Sequence, residues 1–182
     1  RWGAPEVDGG GGPGVLAHVT YQVVVTFSGS SAPGRRRRAH PRLLSDSVPF
    51  TMEADSLNAA VLGLDAVPGT QEFDLFVKEV RKEMTGKSGQ KCTAIRRAMA
   101  SAQYLDAMQQ ALAERLAKTK VGDPRAEDTR MGALVSVSQR DDVREKIREL
   151  EAAGARIVAG DPNAEPPVPG GAFRQPALLR TD

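Results

Sequence analysis

Gln22-Val23-Val24-Val25-Thr26-Phe27-Ser28-Gly29-Ser30-Ser31-Ala32-Pro33-Gly34 is the stretch whose reading decides the fold. Its first half, Gln22 to Phe27, is a β-branched run without polar alternation, the pattern of a strand buried on both faces of a parallel sheet. Ser28–Gly34 then reads as a glycine-bounded turn. Pro33 suits an early helical position, and a short helix through Arg35–Arg38 follows until Pro41 disturbs it. Strand, loop and helix in that order can aim backbone N–H groups and the positive end of a helix dipole at a phosphate. The spacing is Gly-x4-Gly rather than Gly-x-Gly-x-x-Gly, so a structural turn explains Gly29 and Gly34 about as well as a dinucleotide does.

Working outward, Arg1–Gly14 holds the Gly9–Gly12 run beside prolines and is expected to be a disordered start. Downstream, Val48–Met52 reads as a second extended segment with Glu53 at its end, and Leu57–Leu62 as a third apolar stretch; Pro49 argues against the middle one. The period then changes. Phe73, Phe76, Val77, Val80 and Met84 lie three and four apart and share one helix face, which Gly86 and Gly89 close. A loop carrying Cys92 leads to an alanine-rich helix with Tyr104, Leu105, Met108, Leu112 and Leu116 as its buried stripe, and Gly122–Pro124 stops it. Ser136 and Gln139 have capping-box spacing for a third helix, whose face continues through Val143, Ile147 and Leu150 to Gly154. Ile157–Ala159 reads as a returning strand and Asp161–Gly171 as a surface loop. The fold class expected is α/β.

Composition narrows the function. Among 182 residues, 25 basic and 23 acidic side chains leave a net charge of +2, too little field to argue for nucleic acid or an anionic membrane. One cysteine excludes an internal disulfide framework, and with two histidines far from it in sequence no metal site is expected. No apolar run has the length to span a bilayer, so a cytoplasmic protein is the expectation.

Two residues could carry chemistry. Cys92 sits in Ser88-Gly89-Gln90-Lys91-Cys92-Thr93-Ala94, a small loop whose lysines could favour a thiolate by charge; a lone cysteine is otherwise a small buried hydrophobe. Glu53, at a strand end, is either a solvated carboxylate or a general base. Arg35–Arg38 point in all directions from a helix, which favours a solvated segment over a basic binding module. His18 and His40 show no spacing relation to a carboxylate or to Cys92 and read as surface residues.

In order along the chain, these segments resemble the aldehyde dehydrogenase superfamily. Phe27-Ser28-Gly29-Ser30-Ser31-Ala32-Pro33-Gly34 is similar to its cofactor loop, Phe-Thr-Gly-Ser-x-x-x-Gly. Glu53 falls where its general base stands, and Gly89-Gln90-Lys91-Cys92 resembles its Gly-Gln-x-Cys nucleophile loop. Lys120–Pro124, Met131–Ser136, Gly154-Ala155 and Gly171–Pro176 resemble its later turns. Met52–Asn58 and Gly89–Arg97 are most similar to one subgroup, the dehydrogenase half of a bifunctional enzyme of phenylacetate degradation that oxidises a CoA-linked semialdehyde.

The resemblance implies Cys92 and Glu53 as catalytic residues, and Ser28, Gly29, Ser30 and Gly34 as binders of NADP or NAD. It implies a small-molecule aldehyde, possibly CoA-linked, as substrate, and a homo-oligomer at full length. Residues 15–56 would be the C-terminal part of an NAD(P)-binding, Rossmann-type lobe and 57–182 the N-terminal part of an α/β catalytic lobe, with Glu53 and Cys92 meeting at the cleft. Ala54-Asp55 replaces the superfamily's usual Leu-Gly-Gly after the base. The superfamily's upstream Pro-Trp-Asn and downstream Glu-x-Phe-Gly-Pro segments have no counterpart, so the chain is expected to be an incomplete and inactive fragment.

Overall fold

A computed structural model describes residues 14–165 and 168–181; the glycine-rich start expected over 1–14 lies, apart from Gly14, outside the described residues. The chain divides into two compact units, Arg1–Ser56 and Leu57–Asp182.

In the first unit, β1 (Val25–Gly29) runs parallel to β2 (Phe50–Ala54), with Val25 opposite Phe50 and Gly29 opposite Ala54. Two short helices, α1 (Ser31–Arg38) and α2 (Pro41–Ser45), connect them. Leu16, Leu43 and Val48 form a small core with Val19, Val25 and Phe50 against it. The structure corrects the expectation of a strand buried on both faces. The chain turns through Thr20–Val23 and β1 starts only at Val25; Val24 is 67% exposed, and Val25 and Phe27 face inward while Thr26 and Ser28 face solvent. One-sided cover produces that alternation. Pro49 does not interrupt the ladder, because it precedes β2 and its carbonyl accepts the Val25 N–H at 2.9 Å. Pro41 ends one helix and opens the next, at the first helical position, where its missing N–H costs nothing.

The second unit opens with β3 (Asn58–Val61), parallel to β4 (Ile95–Met99), with α3 (Gln71–Thr85) between them in sequence. Then come α4 (Ala102–Ala117), α5 (Val137–Ala152) and β5 (Arg156–Ala159), which pairs antiparallel with β6 (Leu178–Arg180). Phe73, Val77 and Val80 of α3 meet Met108 and Leu112 of α4 in one core with Leu62 and Ala66, so the apolar stripes read from sequence are the faces that pack. The α5 stripe is shorter than expected. Ile147 is buried but Leu150 is 50% exposed. No helix among the described residues is long and apolar enough to cross a membrane.

Candidate active site

The parallel register of the first unit brings two of the expected site residues together. Ser28 is opposite Glu53 near the carboxyl ends of β1 and β2, and both are on the exposed face. In open α/β sheets this end of the strands is where ligands collect. Gly29 ends β1, and Ser30 is the extended N-cap of α1, its side chain making no cap hydrogen bond.

The N-terminus of α1 is instead capped from a distance. The Ser31 N–H donates to both carboxylate oxygens of Asp55, each at 3.1 Å. Hydrogen bonding from Ser31, through its side chain first and its N–H second, holds the Asp55 carboxyl below its usual value. Asp55 stands in the left-handed region, with φ of 53°, a conformation that glycine adopts more readily. The end of β2 therefore supplies an anion to the helix that follows β1.

Gly34 plays a different part from the one its spacing suggested. It lies inside α1, its N–H donating to the Ser30 carbonyl at 3.2 Å, so it does not frame the loop. A Cβ there would lie 2.6 Å from Met52 Sδ and 2.9 Å from the Phe27 ring. Its missing side chain lets α1 lie directly on both strands. Of the four arginines, Arg37 sits over the Phe27 ring, 5.2 Å from its centre, while Arg35, Arg36 and Arg38 are exposed. His40 caps α2, its Nδ1 accepting the Arg42 N–H at 3.2 Å, and His18 is exposed in a 3-10 turn.

In the second unit, Cys92 is an exposed free thiol, which removes the reading of a small buried hydrophobe. The loop begins with Lys87, Ser88 and Gly89 all at positive φ, and at Gly89 a Cβ would crowd the Met84 carbonyl at 3.1 Å. Polar side chains hold the loop in place. Ser88 Oγ donates to the Gly132 carbonyl at 2.9 Å, Gln90 Nε2 to the Lys87 and Ala133 carbonyls at 3.1 and 3.4 Å, and Gln90 Oε1 accepts the Val135 N–H at 2.8 Å. From β3, Asn58 Nδ2 donates to the Cys92 carbonyl and, at 3.2 Å, to that of Ala94, which is fully buried.

The expectation that nearby lysines favour a thiolate needs correction for Lys91. Its ammonium is engaged by Glu83 at 2.7 Å, so its charge is compensated. Among the described residues no group of three or more His, Cys, Asp or Glu could hold a metal ion. The roles of Asn58 and Asp55 were missed in sequence, because each acts on residues more than twenty positions away. Gln90 was visible only as part of the cysteine motif.

The chain thus combines a parallel strand pair in each unit with an open strand end in the first and an exposed cysteine on a pinned loop in the second. The aldehyde dehydrogenase family model matches residues 13–181, and the chain belongs to the aldehyde dehydrogenase family. It is 46% identical, over 99% of its length and 36% of the relative's, to 3,4-dehydroadipyl-CoA semialdehyde dehydrogenase of Aromatoleum evansii. Its fold is similar to that of betaine aldehyde dehydrogenase of Staphylococcus aureus in complex with NAD+, with a TM-score of 0.75, 24% identity and coverage of 86% of this chain and 30% of that one. The chain spans about a third of the length of these relatives.

Proposed function

We propose that the chain is part of an NAD- or NADP-dependent aldehyde dehydrogenase that oxidises a CoA-linked semialdehyde of aromatic (phenylacetate-type) catabolism to the acid. The observation that carries this reading is the exposed Cys92 thiol on a loop fixed by Gln90 and Asn58. The likeness to a CoA-semialdehyde dehydrogenase over nearly the whole chain supports the substrate class. Residues 15–56 are assigned to the cofactor lobe and 57–182 to the catalytic lobe, of a cytoplasmic homo-oligomer at full length.

In this reading Glu53 takes the Cys92 proton, directly or through a water, and the thiolate adds to the aldehyde carbon to give a thiohemiacetal. The Cys92 backbone N–H stabilises the oxygen that becomes negative. Oxidation of this adduct to a thioester needs a hydride acceptor, which bound NAD(P) would supply. Glu53 releases the Cys92 proton to solvent and then takes one from water, whose oxygen adds to the thioester carbon; the acid leaves and Glu53 returns its proton to the Cys92 sulfur, restoring the thiol. Ser28, Gly29 and Ser30, at the entry to α1, would hold the cofactor phosphates, with Gly34 permitting the close helix–strand packing behind them. Ser28, Gly29 and Ser30 are exposed there, while the Asp55 carboxylate occupies the Ser31 N–H and would have to yield it to a phosphate.

The test is to express the chain at the length of its relatives and to follow nicotinamide reduction with a CoA-linked semialdehyde. Turnover with NAD+ or NADP+ that vanishes in Cys92→Ala supports the reading. Unchanged turnover in that variant sinks it. The 182-residue chain alone is expected to show no turnover.

A further inference from the structure

Beside α5, the Asp161–Glu165 turn and the Gly171–Gln175 segment enclose a small opening lined by Arg140, Arg144, Asp161, Glu165, Phe173 and Arg174. Arg174 is only 9% exposed, and its Nη2 is sealed from solvent without a hydrogen-bond partner among the described residues. A guanidinium has five donors and no acceptor, and a buried one left without partners is destabilising.

The neighbouring charges are already committed. Arg140 holds Asp141 at 2.9 Å and the Gly171 carbonyl at 3.3 Å; Arg144 donates to the Pro162 carbonyl at 2.8 Å and lies 3.9 Å from the same Asp141. Of the two carboxylates on the lining, Asp161 accepts the Asn163 N–H at 2.7 Å and Glu165 is exposed. Burial first, and then the Arg144 charge, push the Arg174 guanidinium below its usual value, with Asp161 opposing. A largely buried cation therefore lines the opening, its Nη2 sealed behind it, with Arg144 and Asp161 both acting on its charge.

We propose that Arg174, with Arg144 and Arg140 beside it, is a phosphate-binding subsite. The enclosed space, about 20 Å³, admits one oxygen, so a phosphoryl oxygen enters against Arg174 while the rest of the group stays at the mouth. Planar guanidinium forks are suited to that ligand. The segment is joined to the cysteine loop, since the Leu134 N–H donates to the Ala172 carbonyl at 2.9 Å and Val135 is bonded to Gln90. Resting on the function proposed above, the phosphate belongs to the nucleotide part of the CoA-linked substrate; free phosphate has the same chemistry.

The experiment compares wild type, Arg174→Met and, as a control, Arg125→Ala in the chain at its relatives' length. Inorganic phosphate and CoA are titrated calorimetrically, and kinetics are measured with a CoA-linked and a CoA-free aldehyde. Arg174→Met is expected to melt no lower than wild type, because an apolar chain replaces a buried guanidinium with an unpartnered Nη2, and yet to bind phosphate and CoA at least tenfold more weakly. A matching rise in KM for the CoA-linked aldehyde alone, with kcat unchanged, assigns the subsite to CoA. Weaker phosphate and CoA binding with both KM values unchanged assigns it to free phosphate. Wild-type affinity of Arg174→Met for phosphate and CoA overturns the proposal, as does equal weakening in Arg125→Ala. If no aldehyde is turned over by wild type, the dehydrogenase reading fails while the titrations still decide the subsite.

Discussion

The loop after β1 rests on what packs beneath it, whereas the Cys92 loop hangs from hydrogen bonds. Under the first, Gly34, Phe27 and Met52 leave no space for another carbon, and a single carboxylate, Asp55, fixes the helix end. Around the second, Ser88, Gln90 and Asn58 reach backbone carbonyls and an N–H on the neighbouring segments, and the buried residues of the loop, Gly89 and Ala94, are small. The two constructions leave different things free. Packing sets where a backbone lies and leaves the Ser28–Ser30 surface exposed, although Asp55 takes the Ser31 N–H. Polar side-chain ties fix a loop while leaving one side chain, the Cys92 thiol, in solvent.

The comparison is broken most decisively at Cys92. In the chain at full length, Cys92→Ala should lower turnover by about 10³-fold or more, since the covalent route is gone. Steady-state kinetics retaining near-normal kcat would show that the exposed thiol is incidental to the loop. Next in size is Gly34→Ala, which forces Met52 or Phe27 aside and should destabilise the first unit by about 1–3 kcal/mol in urea unfolding. Unchanged stability would show that volume does not place α1. Gln90→Ala removes the Val135 bond at an exposed position and should cost about 1 kcal/mol, with a changed rate of Cys92 alkylation. An alkylation rate identical to wild type would mean that packing holds this loop too.

The smallest effect concerns Asp55. Its folded-state carboxyl lies below the unfolded value of 3.8, so its contribution to stability is present above 3.8 and is lost as the pH falls through the lower folded value. Acid unfolding of wild type should therefore include a component below pH 3.8 that Asp55→Asn lacks. Circular dichroism against pH reads this directly, and superimposable curves would mean that the helix end does not depend on the charge.

Much of this architecture was legible in sequence because it is local. The stripes of α3 and α4 and the Ser136 cap of α5, whose Oγ accepts the Gln139 N–H at 3.1 Å, follow from spacing alone. β4 was hidden because Ile95-Arg96-Arg97-Ala98-Met99 places both arginines in solvent and breaks a period of two. β6 was hidden by its three-residue length. Gly34 was noticed as a glycine but assigned to a turn, since nothing local says that Met52 and Phe27 lie against it. The Asp55 cap and the burial of Arg174 are tertiary facts, and no window of sequence contains them.

The three sheets each have two strands among the described residues, and this has a consequence for handling the chain. A two-stranded ribbon is all edge: every strand carries one flank of backbone N–H and C=O groups with no strand beside it. Val24 next to β1 and Val61 in β3 add exposed branched carbon, at 67% and 70%, which makes the flanks templates for strands of other copies. Arg96 and Arg97 act as gatekeepers on β4, while β1 and β3 themselves carry no charge. Self-association of the isolated chain should therefore begin at β1 or β3, and a lysine introduced at Val24 or Val61 should delay it.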